Sequence, residues 1–194
     1  MTESSSPNRQ SLTGVAVPAR GAVAAGLVCA HPAPVWLFIA EDLKAAEHLA
    51  DDMAFFLRSS GAAPRHETLL FPEAMPDSRD LREAFAASSD RLTVLSRLKA
   101  RRRHEAAPDV LVVATTPAAL LQPVPALEAF ATRELTLARG QNQPFQTLLQ
   151  QLQALDYDSE AVCEAPGHYA VRGGIIDVYP VTANTPFQIG RAHV

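Results

Sequence analysis

Asp109-Val110-Leu111-Val112-Val113-Ala114 is an unbroken apolar run opened by an aspartate, and it leads into Thr115-Thr116-Pro117. A run with no polar alternation predicts a strand covered on both faces, as in a parallel sheet. Thr116 can cap the following helix and Pro117 can take its first position, where a missing N–H costs nothing. Upstream, Val35-Trp36-Leu37-Phe38-Ile39-Ala40 is a second such run and predicts a second strand buried on both faces. After it, Asp42 can cap a helix whose apolar positions Leu43, Ala46, Leu49, Met53, Phe56 and Leu57 recur at three- and four-residue steps until Gly61 stops it. Glu67 to Phe71 is a short strand, and Pro72 and Pro76 make a loop. The next helix shows its apolar edge as Arg91-Leu92-x-x-Leu95-x-x-Leu98 and ends in Arg101-Arg102-Arg103. Ala19 to Cys29 reads as a helix packed through small side chains, behind a Ser/Asn/Thr-rich flexible leader at residues 1–11. Alternating strands and helices define a parallel α/β unit over residues 12–123.

Past Pro123 and Pro125 the pattern changes. Glu134-Leu135-Thr136-Leu137-Ala138 alternates like a half-exposed strand, Phe145 to Leu155 is an amphipathic helix, and Ala161 to Val178 holds short strands around Gly173-Gly174. Residues 124–187 are therefore expected to form a small α+β subdomain with an antiparallel sheet.

Composition narrows the function. With 47% hydrophobic and 20% charged residues in 194, the chain can bury a core. A net charge of −4 and a pI near 5.8 give no basic field over the whole surface, which disfavours autonomous nucleic-acid binding. Cys29 and Cys163, far apart in apolar or small-residue surroundings, read as idle thiols of a cytosolic, reduced protein. The longest apolar stretch, Gly21 to Ala30, is too short to span a bilayer. His31, His48, His66, His104, His168 and His193 lack the spacings of a zinc site, so no metal is expected.

A parallel α/β unit raises the question of a phosphate loop. The nearest segment runs from Gly14 to Gly21, with Ala19, Arg20 and Gly21 where the template has glycine, lysine and a hydroxyl residue. Losing the hydroxyl removes the magnesium ligand, and Pro18 deletes an amide donor, so the loop is degenerate and no nucleotide cofactor is expected. The strand ending at Ala114 runs into Thr115-Thr116 instead of the acidic pair that would hold magnesium. No serine stands in a nucleophile elbow, and the adjacent pairs Glu41-Asp42 and Asp51-Asp52 point apart on a helix. No catalytic residue is assigned. The triple arginine has two readings, a phosphate contact or a match to the negative end of the helix dipole.

The most specific stretch is Pro166-Gly167-His168-Tyr169-Ala170-Val171-Arg172-Gly173-Gly174-Ile175-Ile176-Asp177-Val178-Tyr179-Pro180, preceded by Leu152-x-x-Leu155-Asp156-Tyr157. It resembles the Gly-x-Phe/Tyr-x-x-Arg-Gly-x-Ile-Ile-Asp-Ile-Phe-Pro signature shared by the bacterial transcription-repair coupling factors (Mfd) and the excision helicase UvrB. Phe71-Pro72, Arg91-Leu92 and Val112 to Pro123 agree in order. The degenerate loop favours the coupling-factor family, whose UvrB-like module this resembles as a truncated fragment. The resemblance implies a vestigial helicase-like subdomain followed by a subdomain that recruits UvrA, with no chemistry in this segment. It also implies that ATP, magnesium, RNA polymerase and double-stranded DNA belong to translocase and polymerase-binding domains not present here. Asp156 departs from the family, which usually has glycine there, and Asp158 stands where a basic residue is frequent.

Arg172 is the leading candidate for a partner contact, because its planar fork pairs bidentately with a carboxylate. Its internal alternative is to oppose Ile175 across the turn and reach diagonally toward Asp177. Tyr169 reads either as an aromatic anchor beside Arg172 or as a sheet-packing residue. The ending Ile189-Gly190-Arg191-Ala192-His193-Val194 matches one reading frame of a common sequencing adapter, so residues 188–194 are expected to be a tail outside the fold. Two other readings remain: a stand-alone α/β enzyme or small-ligand binder, and a fragment of UvrB itself.

Overall fold

The computed structural model describes residues 11–31, 33–59, 65–75, 81–103, 109–126, 134–183 and 185–190; of the helical residues 81–86 only the backbone is described. Most of the expected leader, the helix stop at Gly61, Pro76, His104, Arg191 and His193 lie outside that range.

Val110–Thr115 (β3) is the centre of the first sheet, and all six of its residues are buried. Val35–Ile39 (β1) and His66–Phe71 (β2) pair with it on either side, both parallel, in the order β1-β3-β2. The helices are Arg20–Ala30 (α1), Leu43–Ser59 (α2), Leu81–Arg102 (α3) and Pro117–Leu121 (α4). Asp42 starts α2 by accepting the Ala45 N–H at 2.7 Å, and Thr116 starts α4 by accepting the Ala119 N–H at 3.1 Å. On one face, Ala24, Ala25 and Val28 of α1 and Met53 and Leu57 of α2 pack on Val110, Val112, Trp36 and Phe38. On the other, Val94 and Leu95 of α3 and Ala119 of α4 pack on Leu111, Val113, Leu69 and Phe71.

Two expectations for this half need correction. β1 is buried on one face only: Leu37 is 51% and Ile39 56% exposed, because β1 is an edge strand and α3 and α4 cover only β2 and β3 on that side. In α3 the buried stripe is Ala87, Arg91 and Val94, while Leu98 is exposed. Leu98, expected on the apolar edge of this helix, faces outward, while the stem of Arg91 packs inward and its guanidinium finds carbonyl partners there.

The second sheet has the order β4-β5-β6-β7, with strands Asp158–Ser159, His168–Arg172, Ile175–Val178 and Phe187–Gly190. It is mixed, not wholly antiparallel: β4 runs parallel to β5, while β5, β6 and β7 alternate. The segment 160–167 carries the chain back to the starting end of the sheet before β5, which makes the β4 pairing parallel. Phe145–Ala154 (α5) covers one face, burying Leu148 and Leu152 against Tyr169, Ile176 and Val178. The expected strand at Glu134–Ala138 does not form: these residues take part in no strand pairing among the described residues. Leu135 packs on this cluster while the Glu134 carboxylate takes Ser96 and Lys99 of α3, so side chains fix the segment instead of a ladder. Residues 188–190 are part of the fold, contrary to expectation: Ile189 pairs with Ile176 and packs on the α5 cluster. An edge strand is held mainly by backbone bonds, so an alternating Phe-x-Ile segment suffices.

Candidate functional site

The exposed feature of the second sheet is the tip of the β5–β6 hairpin. Gly173, at φ +61, turns the chain, and Arg172 and Ile175 face each other directly across the ladder. Because opposed residues share a face, Arg172 and Ile175 lie on the side of the sheet away from α5. Arg172 is exposed and Ile175 is 38% exposed. An arginine fork beside an aliphatic side chain can meet a surface carboxylate and bury apolar area at once.

The diagonal pairing of Arg172 with Asp177 does not form. The Asp177 carboxylate instead accepts from Gln188 Nε2 at 3.1 Å, across to β7, which leaves Arg172 without an ion pair among the described residues. Tyr169 points to the opposite face and is 3% exposed, packed under α5 with its hydroxyl accepting from Gln153 Nε2 at 3.3 Å. It supports the sheet and does not reach the surface beside Arg172. Val171, 41% exposed on the α5 side of the same tip, is an apolar surface residue that sequence reading missed. Its signal was its place one residue before Arg172, on the alternate face.

The hairpin is placed by the ends of neighbouring elements. Helix α5 stops with Asp156 in the left-handed region at φ +61; the Asp156 N–H donates to the Gln153 carbonyl and the Tyr157 N–H to the Leu152 carbonyl. This is a Schellman closure, and Tyr157 packs on the apolar cluster to which Leu152 belongs. Asp156 holds this position as an aspartate, whose short polar side chain tolerates the left-handed region. Gly167 at φ +85 donates to the Tyr179 carbonyl at 2.8 Å and so joins the start of β5 to the end of β6. Asp158 is exposed at the β4 edge, with its backbone N–H on the Gly167 carbonyl.

Behind the hairpin, the Cys163 thiol donates to the His168 carbonyl at 3.3 Å. Burial and then the Asp177 charge push its pKa up, against a smaller opposing effect of a backbone hydrogen bond at Tyr179. Such a thiol is protonated and poorly nucleophilic. Cys29 is exposed on α1.

Of the degenerate loop, Gly14 takes φ +76, Val17–Ala19 forms a single 3-10 turn, and Arg20 opens α1. Gly21 is a close-approach residue: a Cβ there would lie 2.3 Å from the Asp52 Cβ of α2. Its smallness lets α1 lie on α2, a packing role unrelated to phosphate. Among the described residues, no group of three His, Cys, Asp or Glu side chains converges, and no helix is long and apolar enough to cross a membrane.

Comparison with known proteins falls on this geometry. Residues 135–191 match the family described as the UvrB interaction domain, a span that takes in α5 and the entire second sheet. The chain is 29% identical over 182 residues to the transcription-repair-coupling factor of Bacillus subtilis (strain 168), covering 93% of this chain and 14% of that protein. It is 32% identical over 179 residues to that of Myxococcus xanthus, covering 88% of this chain and 14% of the relative. With the protein of the same name from Mycobacterium bovis it shares 34% over 144 residues, 72% of this chain and 11% of the relative. The second sheet with its helix is thus a module of the UvrB-interaction type. The chain belongs with the transcription-repair coupling factors (Mfd), of whose length it spans about a seventh.

Proposed function

We propose that this chain is the adaptor through which a transcription-repair coupling factor recruits UvrA in transcription-coupled nucleotide excision repair. The observation that carries the reading is the coincidence of the UvrB-interaction match at residues 135–191 with a sheet-and-helix module whose exposed tip presents Arg172 beside Ile175. In this reading Arg172 pairs with a carboxylate of UvrA while Tyr169, from the buried face, holds β5 against α5. The segment acts by binding, without chemistry of its own. The whole protein would displace stalled RNA polymerase by ATP-driven translocation on double-stranded DNA in the cytoplasm, with ATP and magnesium held by segments outside this chain.

The reading is tested by competition. Purified chain should displace UvrB from UvrA in a dose-dependent way. Failure to displace it at concentrations well above that of UvrB, with the chain folded by circular dichroism, would overturn the proposal.

A further inference from the structure

The hydrophobic core of the chain comes in separate pieces. Two clusters lie on the faces of the first sheet and draw only on residues of the α/β unit. The third, around Leu148, Leu152, Tyr169 and Ile176, draws only on residues from Leu135 onward. Among the described residues, no apolar cluster has members from both units. In chain order the described residues pass from the α/β unit into the UvrB-interaction module once, between residues 126 and 134.

The side-chain contacts seen between the two are polar and start from α3. The Glu134 carboxylate accepts from Ser96 Oγ at 3.2 Å and pairs with the Lys99 ammonium. Its neighbour Leu135 packs in the module's own cluster. Two consecutive residues thus tie one segment to α3 on one side and to α5 and the second sheet on the other. Further back along the helix, Ser89 Oγ donates to the Val181 carbonyl, and the Val181 backbone is hydrogen-bonded to the Tyr157 side chain inside the module. Ser89, Ser96 and Lys99 follow one another at seven- and three-residue steps, which puts them along one stripe of α3.

A joint without an apolar cluster gains little from excluding water, and water can replace its hydrogen bonds at small net cost. Each unit, by contrast, has to expose its own cluster in order to open. The joint therefore opens at a lower free energy than either unit unfolds. Glu134 is the residue on which closure turns, because both of its partners belong to α3 while the residue after it belongs to the module.

We infer that the UvrB-interaction module is docked on α3 by a detachable polar seam latched by Glu134, and that it swings away as a folded body, carrying the Arg172 tip with it. The device gives the tip two directions relative to the α/β unit, one docked and one free. It is a property of the chain alone and does not rest on the partner proposed for the tip.

The test is single-molecule energy transfer in the full chain. One dye is placed on Cys29, exposed on α1, and the other on a cysteine introduced at the exposed Asp158 of β4, in a Cys163→Ser background. Without further change the chain should populate mainly one efficiency. Glu134→Ala should raise the population of a second, distinct efficiency by at least about tenfold, since a hydrogen bond to a charged group contributes that much. Glu134→Gln, which still accepts from Ser96 without the charge, should fall between the two. Ser89→Ala should raise the second population less than Glu134→Ala, and the double variant should raise it most. Glu67→Gln breaks the ion pair with Arg97 inside the α/β unit and should leave the distribution unchanged. Circular dichroism melts establish which variants are folded. A folded Glu134→Ala chain with an unaltered distribution would overturn the inference. Loss of secondary structure in Glu134→Ala would overturn it too, because the module would then need the seam in order to fold. An equal effect of Glu67→Gln would also overturn it, as a sign of general loosening.

Discussion

The guanidinium carbon of Arg91 lies 4.2 Å from the centre of the Phe71 ring, on the buried side of α3. From there Nη1 donates to the Pro72 carbonyl at 2.8 Å and to the Ala119 carbonyl at 3.3 Å, and Nη2 to the Pro123 carbonyl at 3.4 Å. One side chain thus fastens the exit of β2, helix α4 and the segment that follows α4. Burial pushes its pKa below the ordinary arginine value, and the three carbonyls and the ring face offset the cost of placing a charge there. Arg91→Ala removes donors from buried carbonyls and should cost about 3 kcal/mol. For a chain of this size that lowers the melting temperature by about 6–12 °C. Arg91→Met, which keeps the stem, should cost less; equal melting of wild type and Arg91→Ala would show that the clamp has no energetic role.

Asp156 supports a prediction of opposite sign. An aspartate at φ +61 carries a steric cost that glycine lacks, so Asp156→Gly should stabilise the chain by about 0.5–1 kcal/mol. Thermal unfolding reads it directly. A destabilised Asp156→Gly would mean that the carboxylate makes a contact worth more than the backbone relief.

The pH dependence of stability has a contribution of defined sign from Asp90. Burial, and after it the neighbouring Glu47, raise its pKa above the model-compound value of 3.8. A carboxyl whose folded pKa is raised favours the folded state while protonated, and that contribution is lost as pH rises through the folded pKa. Asp90→Asn should therefore stabilise the chain at pH 7 and have little effect near pH 3. Asp90 is shielded on one side only and keeps much of its surface in solvent, so screening holds the gain to no more than about 1 kcal/mol. An Asn variant less stable at neutral pH would contradict this account.

The two thiols should separate in a reaction with a thiol-specific disulfide reagent. Cys29 is exposed and should react quickly, while Cys163, with its raised pKa, should react slowly. Asp177→Asn removes one cause of that shift and should speed the slow phase alone. Acceleration of both phases would indicate general loosening of the fold.

What the sequence made legible follows from how locally each feature is determined. Val110–Thr115 was readable because a central parallel strand must be apolar on both faces, and Thr116-Pro117 because capping involves adjacent residues only. The Gly173-Gly174 turn fixed the opposition of Arg172 and Ile175 for the same reason. β1 was misread on one face because edge position depends on strand order, which an apolar run does not encode. The inward turn of Arg91 depends on carbonyls at residues 72, 119 and 123, all distant in sequence. The burial of Tyr169 depends on where α5 lands, and β7 on backbone pairing that asks little of its side chains.

The central claim is that the Arg172 hairpin tip is a UvrA contact. It is tested most directly by calorimetric titration of purified UvrA with wild-type chain and with Arg172→Ala, both first shown to be folded. The account predicts saturable heat for wild type and a loss of at least about 2 kcal/mol, roughly thirtyfold in affinity, for the variant. Equal affinity of the two folded chains, or no binding by either, would contradict it.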